Sequence, residues 1–150
     1  PKISDLQRYG LTVGLGTDGP ASNNTLDMFE VMKVGAILQK AFYKNPRVLS
    51  TQEVLKMATI EGAQALGLED SVGSLDVGKR ADIVLIDLKK PHLTPLHDLY
   101  ASIVYSARGS DVDMVIVDGR VLMERREVKT FDEEEVVEKT RRTALDLVSG

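Results

Sequence analysis

The 150-residue sequence contains no cysteine. Disulfides and thiolate-held metals are therefore excluded, and a reducing compartment, the cytoplasm, fits that usage. It contains only two histidines, His92 and His97. No apolar run approaches the roughly 20 residues of a membrane span. Pro1-Lys2-Ile3-Ser4 lacks the apolar core of a secretory signal. The 19 Lys and Arg residues are scattered and the formal net charge is −4. Both features argue against a nucleic-acid surface, where clustered basic residues neutralise phosphates. No period of roughly 20–50 residues repeats, and no segment is of low complexity. An initiator methionine is missing too, so the start at Pro1 reads either as the tail of a longer polypeptide or as a processed terminus.

What is present is the composition of a soluble globular protein, 43% hydrophobic and 28% charged. The length suits one domain, or one and a fraction. The stretch that organises the chain runs from Val13 to Asn24, Val-Gly-Leu-Gly-Thr-Asp-Gly-Pro-Ala-Ser-Asn-Asn. Leu11 to Leu15 reads as a short buried strand, since its length and flanking glycines disfavour a helix. A polar turn follows. A helix is then expected from Thr25 to about Tyr43, apolar on most sides and hence buried on most sides, capped by Asn23 or Asn24. Strand, turn and helix together make a βα unit.

Ser50-Thr51-Gln52-Glu53 has capping-box spacing and opens a further helix. Ile60 to Leu66 is another, stopped by Gly67. Ser71 to Lys79 reads as a turn-rich β segment. Ala81 to Leu88 reads as a strand continuous enough to be buried on both faces. His97 to Tyr105 is expected to be a short helix followed by extended chain. Val112 to Val117 and Arg120 to Arg125 read as strands joined by the Asp118-Gly119 hairpin. Asp132 to Glu135 opens a last helix whose apolar stripe is Val136, Val137, Thr140, Ala144, Leu147 and Val148.

Asp18 is the leading chemical candidate. A carboxylate just past a strand end lies where the loops of open α/β sheets and barrels converge. There it can bind a divalent metal or take a proton from a metal-bound water. Thr17-Asp18-Gly19 is also a common turn in which Asp bonds its own amides, and the residues alone favour that second reading. His92 and His97, five apart and beside Pro91 and Pro95, read as exposed or loop-anchoring side chains. Gly14-x-Gly16 lacks the acidic partner of a dinucleotide fingerprint, and Ser22 lacks the setting of a nucleophile elbow. Asn23 and Asn24 read as caps, with one facing a ligand as the alternative. Glu133 to Glu135 reads as a solvated helix start.

Gly14-Leu15-Gly16-Thr17-Asp18-Gly19-Pro20-Ala21-Ser22-Asn23-Asn24, followed by Leu26-Asp27-Met28-Phe29, resembles the last catalytic strand of the amidohydrolase superfamily. The nearest branch is that of the 5-methylthioadenosine/S-adenosylhomocysteine deaminases and their chlorohydrolase-like relatives. Ala58-Thr59-x-x-Gly62-Ala63-x-Ala65-Leu66-Gly67, Gly73-x-Leu75-x-x-Gly78-Lys79-x-Ala81-Asp82-Ile83-Val84 and Val112-x-x-Val115-x-Val117-x-Gly119 resemble later pieces of the superfamily in the same order. The first motif points to the deaminase branch; the other three mark the superfamily only.

The resemblance implies an α/β fold, the C-terminal portion of a metal-dependent (β/α)8 barrel with part of a small β-sandwich domain and a C-terminal helix. Residues 1–70 would be the last barrel strand and its helices. Residues 71–130 would be strands of the β-sandwich, and residues 131–150 a helix packing back on the barrel. One divalent metal, zinc, is implied, held by a His-x-His, by middle-strand histidines and by the last-strand Asp, which Asp18 matches. The His-x-His, the other histidines and the catalytic Glu have no counterpart here, and His92 and His97 lie in the wrong region to replace them.

The implied chemistry is hydrolytic deamination of an adenosine-type nucleoside: 5-methylthioadenosine, S-adenosylhomocysteine or 5′-deoxyadenosine to the inosine analogue and ammonia. The metal lowers the pKa of a bound water to about 7, and the hydroxide attacks C6 of the adenine ring. Asp18 would ligate the metal, accept the water's proton and help deliver it to the leaving ammonia. Ser22 and Asn23 would rim the substrate pocket. The expected partner is thus a small purine nucleoside, with no nucleic acid or membrane and with a homo-oligomer as the expected assembly. Chlorohydrolase and guanine or cytosine deaminase chemistries are alternatives within the superfamily. A non-catalytic domain that completes a barrel by association is the alternative outside enzymology, because open sheet edges invite pairing.

Overall fold

The computed structural model describes residues 2–149. Pro1 and Gly150, the outer bounds of the first and last expected segments, lie outside them. The helical layer comes first: α1 (Ile3–Arg8), the single turn α2 (Pro20–Asn23), α3 (Met28–Tyr43), α4 (Thr51–Met57) and α5 (Ile60–Ala65). A sheet follows, with β1 (Ile83–Ile86), β2 (Val112–Val117), β3 (Arg120–Glu124) and β4 (Glu127–Val128). Between β1 and β2 lies the one-turn helix α6 (Leu99–Ala101), which runs on into a π-helical turn, Ser102–Ser106. The last element is α7 (Glu133–Val148).

The core sits among the helices. Ile3, Met32, Ala36, Leu49, Val54, Met57 and Val104 form one buried cluster, with Val13, Leu15 and Phe29 packed against it. Met57, Val54 and Val104 are its largest fully buried side chains. Gln39 is the buried polar member; its carbonyl oxygen accepts from the Ile3 N–H at 3.0 Å and so satisfies a donor at the open end of α1. The Ser50 capping box is present as the sequence predicts. The Ser50 hydroxyl accepts from the Glu53 N–H at 3.3 Å, and the Glu53 carboxylate accepts from the Ser50 N–H at 2.6 Å. Gly67, at φ +70°, follows the end of α5 in the left-handed conformation that glycine adopts without steric cost.

The sheet is an antiparallel meander in the order β1-β2-β3-β4. Asp118 and Gly119 both have positive φ, 52° and 76°, as a two-residue hairpin turn requires. A second tight turn, Arg125-Arg126, also has positive φ at both residues and leads into β4, which the sequence reading missed. Its composition gives no turn signal. The Arg126 guanidinium fastens it by donating to the Gly109 carbonyl at 2.9 Å.

Several sequence expectations are corrected. Leu11 to Leu15 forms no strand, because no ladder partner lies beside it among the described residues, and it is not buried, with Leu11 55% exposed. Ser71 to Lys79 is turns, without strand, held by Lys79, whose ammonium donates to the Glu69 carbonyl and the Ser74 hydroxyl. Tyr105 lies in the π-helical turn and not in extended chain. The cap of α3 is Asp27, and neither Asn23 nor Asn24 plays that part. α3 is buried on one face only; Leu38 and Phe42 are each 59% exposed. β1 is an edge strand with Val84 54% exposed, so it is not covered on both faces. The apolar stripe of α7 is exposed along its length, and no α7 residue is buried. No helix is long and apolar enough to cross a membrane among the described residues.

Candidate functional site

The segment leading to Asp18 is positioned by close backbone contact. Gly14 passes so near the first turn of α5 that a Cβ there would sit 2.9 Å from the Gly62 Cα. The next residue is pinned by the end of α4, where the Leu15 N–H donates to the Met57 carbonyl at 2.9 Å. Gly14 is thus a glycine because neighbouring backbone fills the space a side chain would need.

Asp18 has φ +58°, a conformation that non-glycine residues adopt sparingly and that Asp and Asn tolerate best. Its Oδ1 accepts from the Gly19 N–H at 2.7 Å, and the Thr17 hydroxyl donates to its carbonyl at 3.1 Å. The turn-amide bond expected of a Thr-Asp-Gly turn is therefore present. It engages one carboxylate oxygen. Asp18 is solvent-exposed and pairs with no cation among the described residues.

Behind Asp18 the chain makes one helical turn, α2, with Pro20 at its first position and Asn24 in the left-handed region at φ 64°. Ser22 is exposed on this turn. The Asn23 side chain folds back, its Nδ2 donating to the Thr17 carbonyl at 2.8 Å and to the Thr25 carbonyl at 3.3 Å. Thr25 in turn donates its hydroxyl to Glu30 Oε2 at 2.8 Å.

Asp27, which the sequence reading did not take as the cap, joins this loop to the second half of the chain. Its Oδ1 accepts from the Phe29 and Glu30 N–H groups at 2.8 and 3.4 Å, the N-cap of α3. Its Oδ2 accepts from the Gly109 N–H at 2.9 Å, 82 residues away. The Asp27-x-x-Glu30 spacing was the available signal, since it matches a cap with an acid three residues on. Asp111 stands two residues beyond Gly109 and is 3% exposed. It accepts from the Arg108 N–H and pairs with His92 Nε2, each at 2.9 Å. Burial pushes the Asp111 carboxyl up. The bonds from His92 and Arg108 outweigh that, and its pKa lies below the ordinary aspartate value. His92 is accordingly a loop anchor, as expected, and His97 is exposed.

A carboxylate oxygen is a suitable donor for a divalent cation. A metal needs several, however, and no three of His, Cys, Asp or Glu converge among the described residues. Taken alone, the side chains present do not fit a metal.

The model of the amidohydrolase family matches residues 2–122. The chain belongs to the amidohydrolase family. The chain is 54% identical over 141 residues to a 5-methylthioadenosine/S-adenosylhomocysteine deaminase of Desulforudis audaxviator, covering 94% of this chain and 33% of that protein. It is 52% identical over 140 residues to a 5′-deoxyadenosine deaminase of Methanosarcina acetivorans, covering 93% and 32%. Among solved structures, a zinc-bound adenosine deaminase from Xanthomonas campestris superposes with a TM-score of 0.95 at 36% identity, covering 99% of this chain and 34% of that one. A zinc complex of atrazine chlorohydrolase from Arthrobacter aurescens superposes with a TM-score of 0.79 at 30% identity, covering 93% and 31%. The chain thus spans about a third of the length of the relatives it matches, and it matches their C-terminal part.

Proposed function

We propose that this chain is the C-terminal third of a metal-dependent hydrolytic deaminase. Its substrates are adenosine-type nucleosides: 5-methylthioadenosine, S-adenosylhomocysteine or 5′-deoxyadenosine, converted to the inosine analogue and ammonia. The observation that carries this reading is the identity of about one half, over nearly the whole chain, to deaminases named for those substrates. The chlorohydrolase alternative rests on lower identity, 30%.

In this reading residues 1–70 complete a barrel, residues 71–130 belong to a small β-sandwich, and residues 131–150 pack back on the barrel. The exposed apolar faces of α3 and α7 and the open edge at β1 support it, since a chain that buried its own surfaces would cover them. Asp18 supplies one carboxylate to a zinc site whose other ligands lie elsewhere in the whole protein. Ser22 and Asn23 stand on the loop at the pocket rim. The protein works in the cytoplasm on a small nucleoside, as an oligomer.

The test is the adenine-to-hypoxanthine absorbance change with each of the three nucleosides. The whole protein with zinc is expected to turn over at least one, and the 150-residue chain none. Asp18→Asn in the whole protein is expected to lower kcat by about 10²–10⁴-fold, the span of a lost acid–base group. Turnover by the isolated chain would overturn the assignment of the site to several parts of the protein. Full activity in Asp18→Asn would overturn the role given to that carboxylate.

A further inference from the structure

We propose that Asn23 is a positioning residue that sets the direction of the Asp18 carboxylate and does not contact substrate through its amide N–H groups. The proposal rests on the deaminase reading for its kinetic consequence and on the loop geometry for its cause.

A primary amide has two N–H donors on one nitrogen. In Asn23 that nitrogen is directed at two backbone carbonyls, Thr17 at 2.8 Å and Thr25 at 3.3 Å. Both partners are acceptors, so the atom facing them is Nδ2 and not Oδ1; an oxygen there would be repelled by both. The donors are therefore spent within the loop.

What they hold decides the consequence. The Thr17 carbonyl belongs to the peptide plane that enters Asp18. Asp18 has φ +58°, and rotation about its N–Cα bond swings the side chain relative to that plane. Gripping the plane fixes the unit from which the carboxylate projects. The Thr25 carbonyl is the fixed end of the clamp. Its residue is tied to Glu30 at 2.8 Å, and Asp27, two positions on, is tied to α3 and to Gly109. Asn23 thus connects a strained aspartate to the anchored start of α3. On the Asp18 side, the Gly19 N–H holds one carboxylate oxygen at 2.7 Å. The bonds within the turn, from the Thr17 hydroxyl to the Asp18 carbonyl and from the Gly19 N–H to its carboxylate, are local, and the Asn23 clamp is what ties the turn to the start of α3 and opposes its relaxation toward an ordinary φ. Misplacing a reacting group by about 1 Å can lower a rate by about 10²-fold.

The test uses the whole protein, parent first, then Asn23→Asp and Asn23→Ala, with kcat and KM for the best nucleoside and amide hydrogen exchange across residues 17–25. Asn23→Asp keeps shape and Oδ1 but turns the clamping donors into an acceptor. Both variants are expected to lose about 10–100-fold in kcat with KM within about 2-fold of the parent, and to exchange faster across that loop alone. A raised KM with kcat intact would overturn the proposal in favour of a substrate contact. Parental kcat in Asn23→Asp would overturn it as well, since the donors would then be dispensable. Should Asn23→Ala fail to fold, Asn23→Asp decides; loss of the fold in both would make Asn23 a stability residue and overturn the proposal. A parent inactive on every nucleoside counts against the deaminase reading alone, and loop exchange then tests the clamp.

Discussion

Asp27 is the residue whose removal should be felt on both sides of the chain. Its Oδ1 caps α3 through Phe29 and Glu30, and its Oδ2 holds the Gly109 N–H at 2.9 Å. Losing an aspartate N-cap costs about 0.5–2 kcal/mol. Losing a partly buried hydrogen bond to a charged acceptor costs about 1.5–3 kcal/mol. Both sites retain some solvent access, so Asp27→Ala is expected to lose about 2–3 kcal/mol, the lower third of the combined range. Asp27→Asn separates the two contributions. Asparagine caps a helix as well as aspartate does but offers one acceptor oxygen in place of two, so either the cap or the Gly109 bond must go. About 1–2 kcal/mol should be lost. Urea unfolding of parent and both variants reads the differences as midpoint shifts at unchanged slope. A loss below about 0.5 kcal/mol in Asp27→Ala, ordinary for an exposed surface change, would refute the reasoning. So would an Asn variant as stable as the parent.

Gly14→Ala should be poorly tolerated, because the new methyl would lie 2.9 Å from the Gly62 Cα and must push the Asp18 segment off α5. About 1–3 kcal/mol should be lost, as for other overpacked sites, and deamination by the whole protein should fall with it; a thermal melt and an activity assay check both. Gly73→Ala combines a φ of +91° with a Cβ 2.8 Å from the Ala63 Cβ and 2.9 Å from the Ile60 Cα, so its melting temperature should fall further than that of Gly14→Ala. The stabilising ionisation of Asp111 should be visible in acid. Its folded pKa lies below the ordinary aspartate value of 3.8. Its contribution is therefore complete above that value and lost as pH falls through the lower folded pKa. The stability gap between the parent and Asp111→Asn at pH 5 should shrink by pH 3; urea midpoints at the two pH values would show otherwise if the gap held.

Much of the local structure was legible because it depends on neighbours in sequence. The Ser50 box, the Gly67 stop, the Asp118-Gly119 hairpin and the β2–β3 pair follow from turn chemistry and periodicity within a few residues. The Arg125-Arg126 turn was not legible, since arginine has no preference for positive φ and the bond to the Gly109 carbonyl holds it there. Burial was over-read for the same kind of reason. The apolar pattern of α3, β1 and α7 says which faces seek cover, while only the assembled chain says which are covered, and here Leu38, Phe42 and Val84 are not.

The opening motif divides in the same way. Order and identity of residues marked Val13 to Asn24 as the organising stretch and the amidohydrolase family as the relation, and through that resemblance Asp18 as the expected carboxylate. Those conclusions need only which residues follow which. The tertiary structure decided that Leu11 to Leu15 finds no ladder among the described residues and that Asp27, not Asn23 or Asn24, caps α3. It also decided that Asn23 turns back on Thr17 and Thr25. A hydrogen bond across six residues of loop, or across 82 between Asp27 and Gly109, depends on where the backbone has already been placed, and no spacing along the chain encodes that.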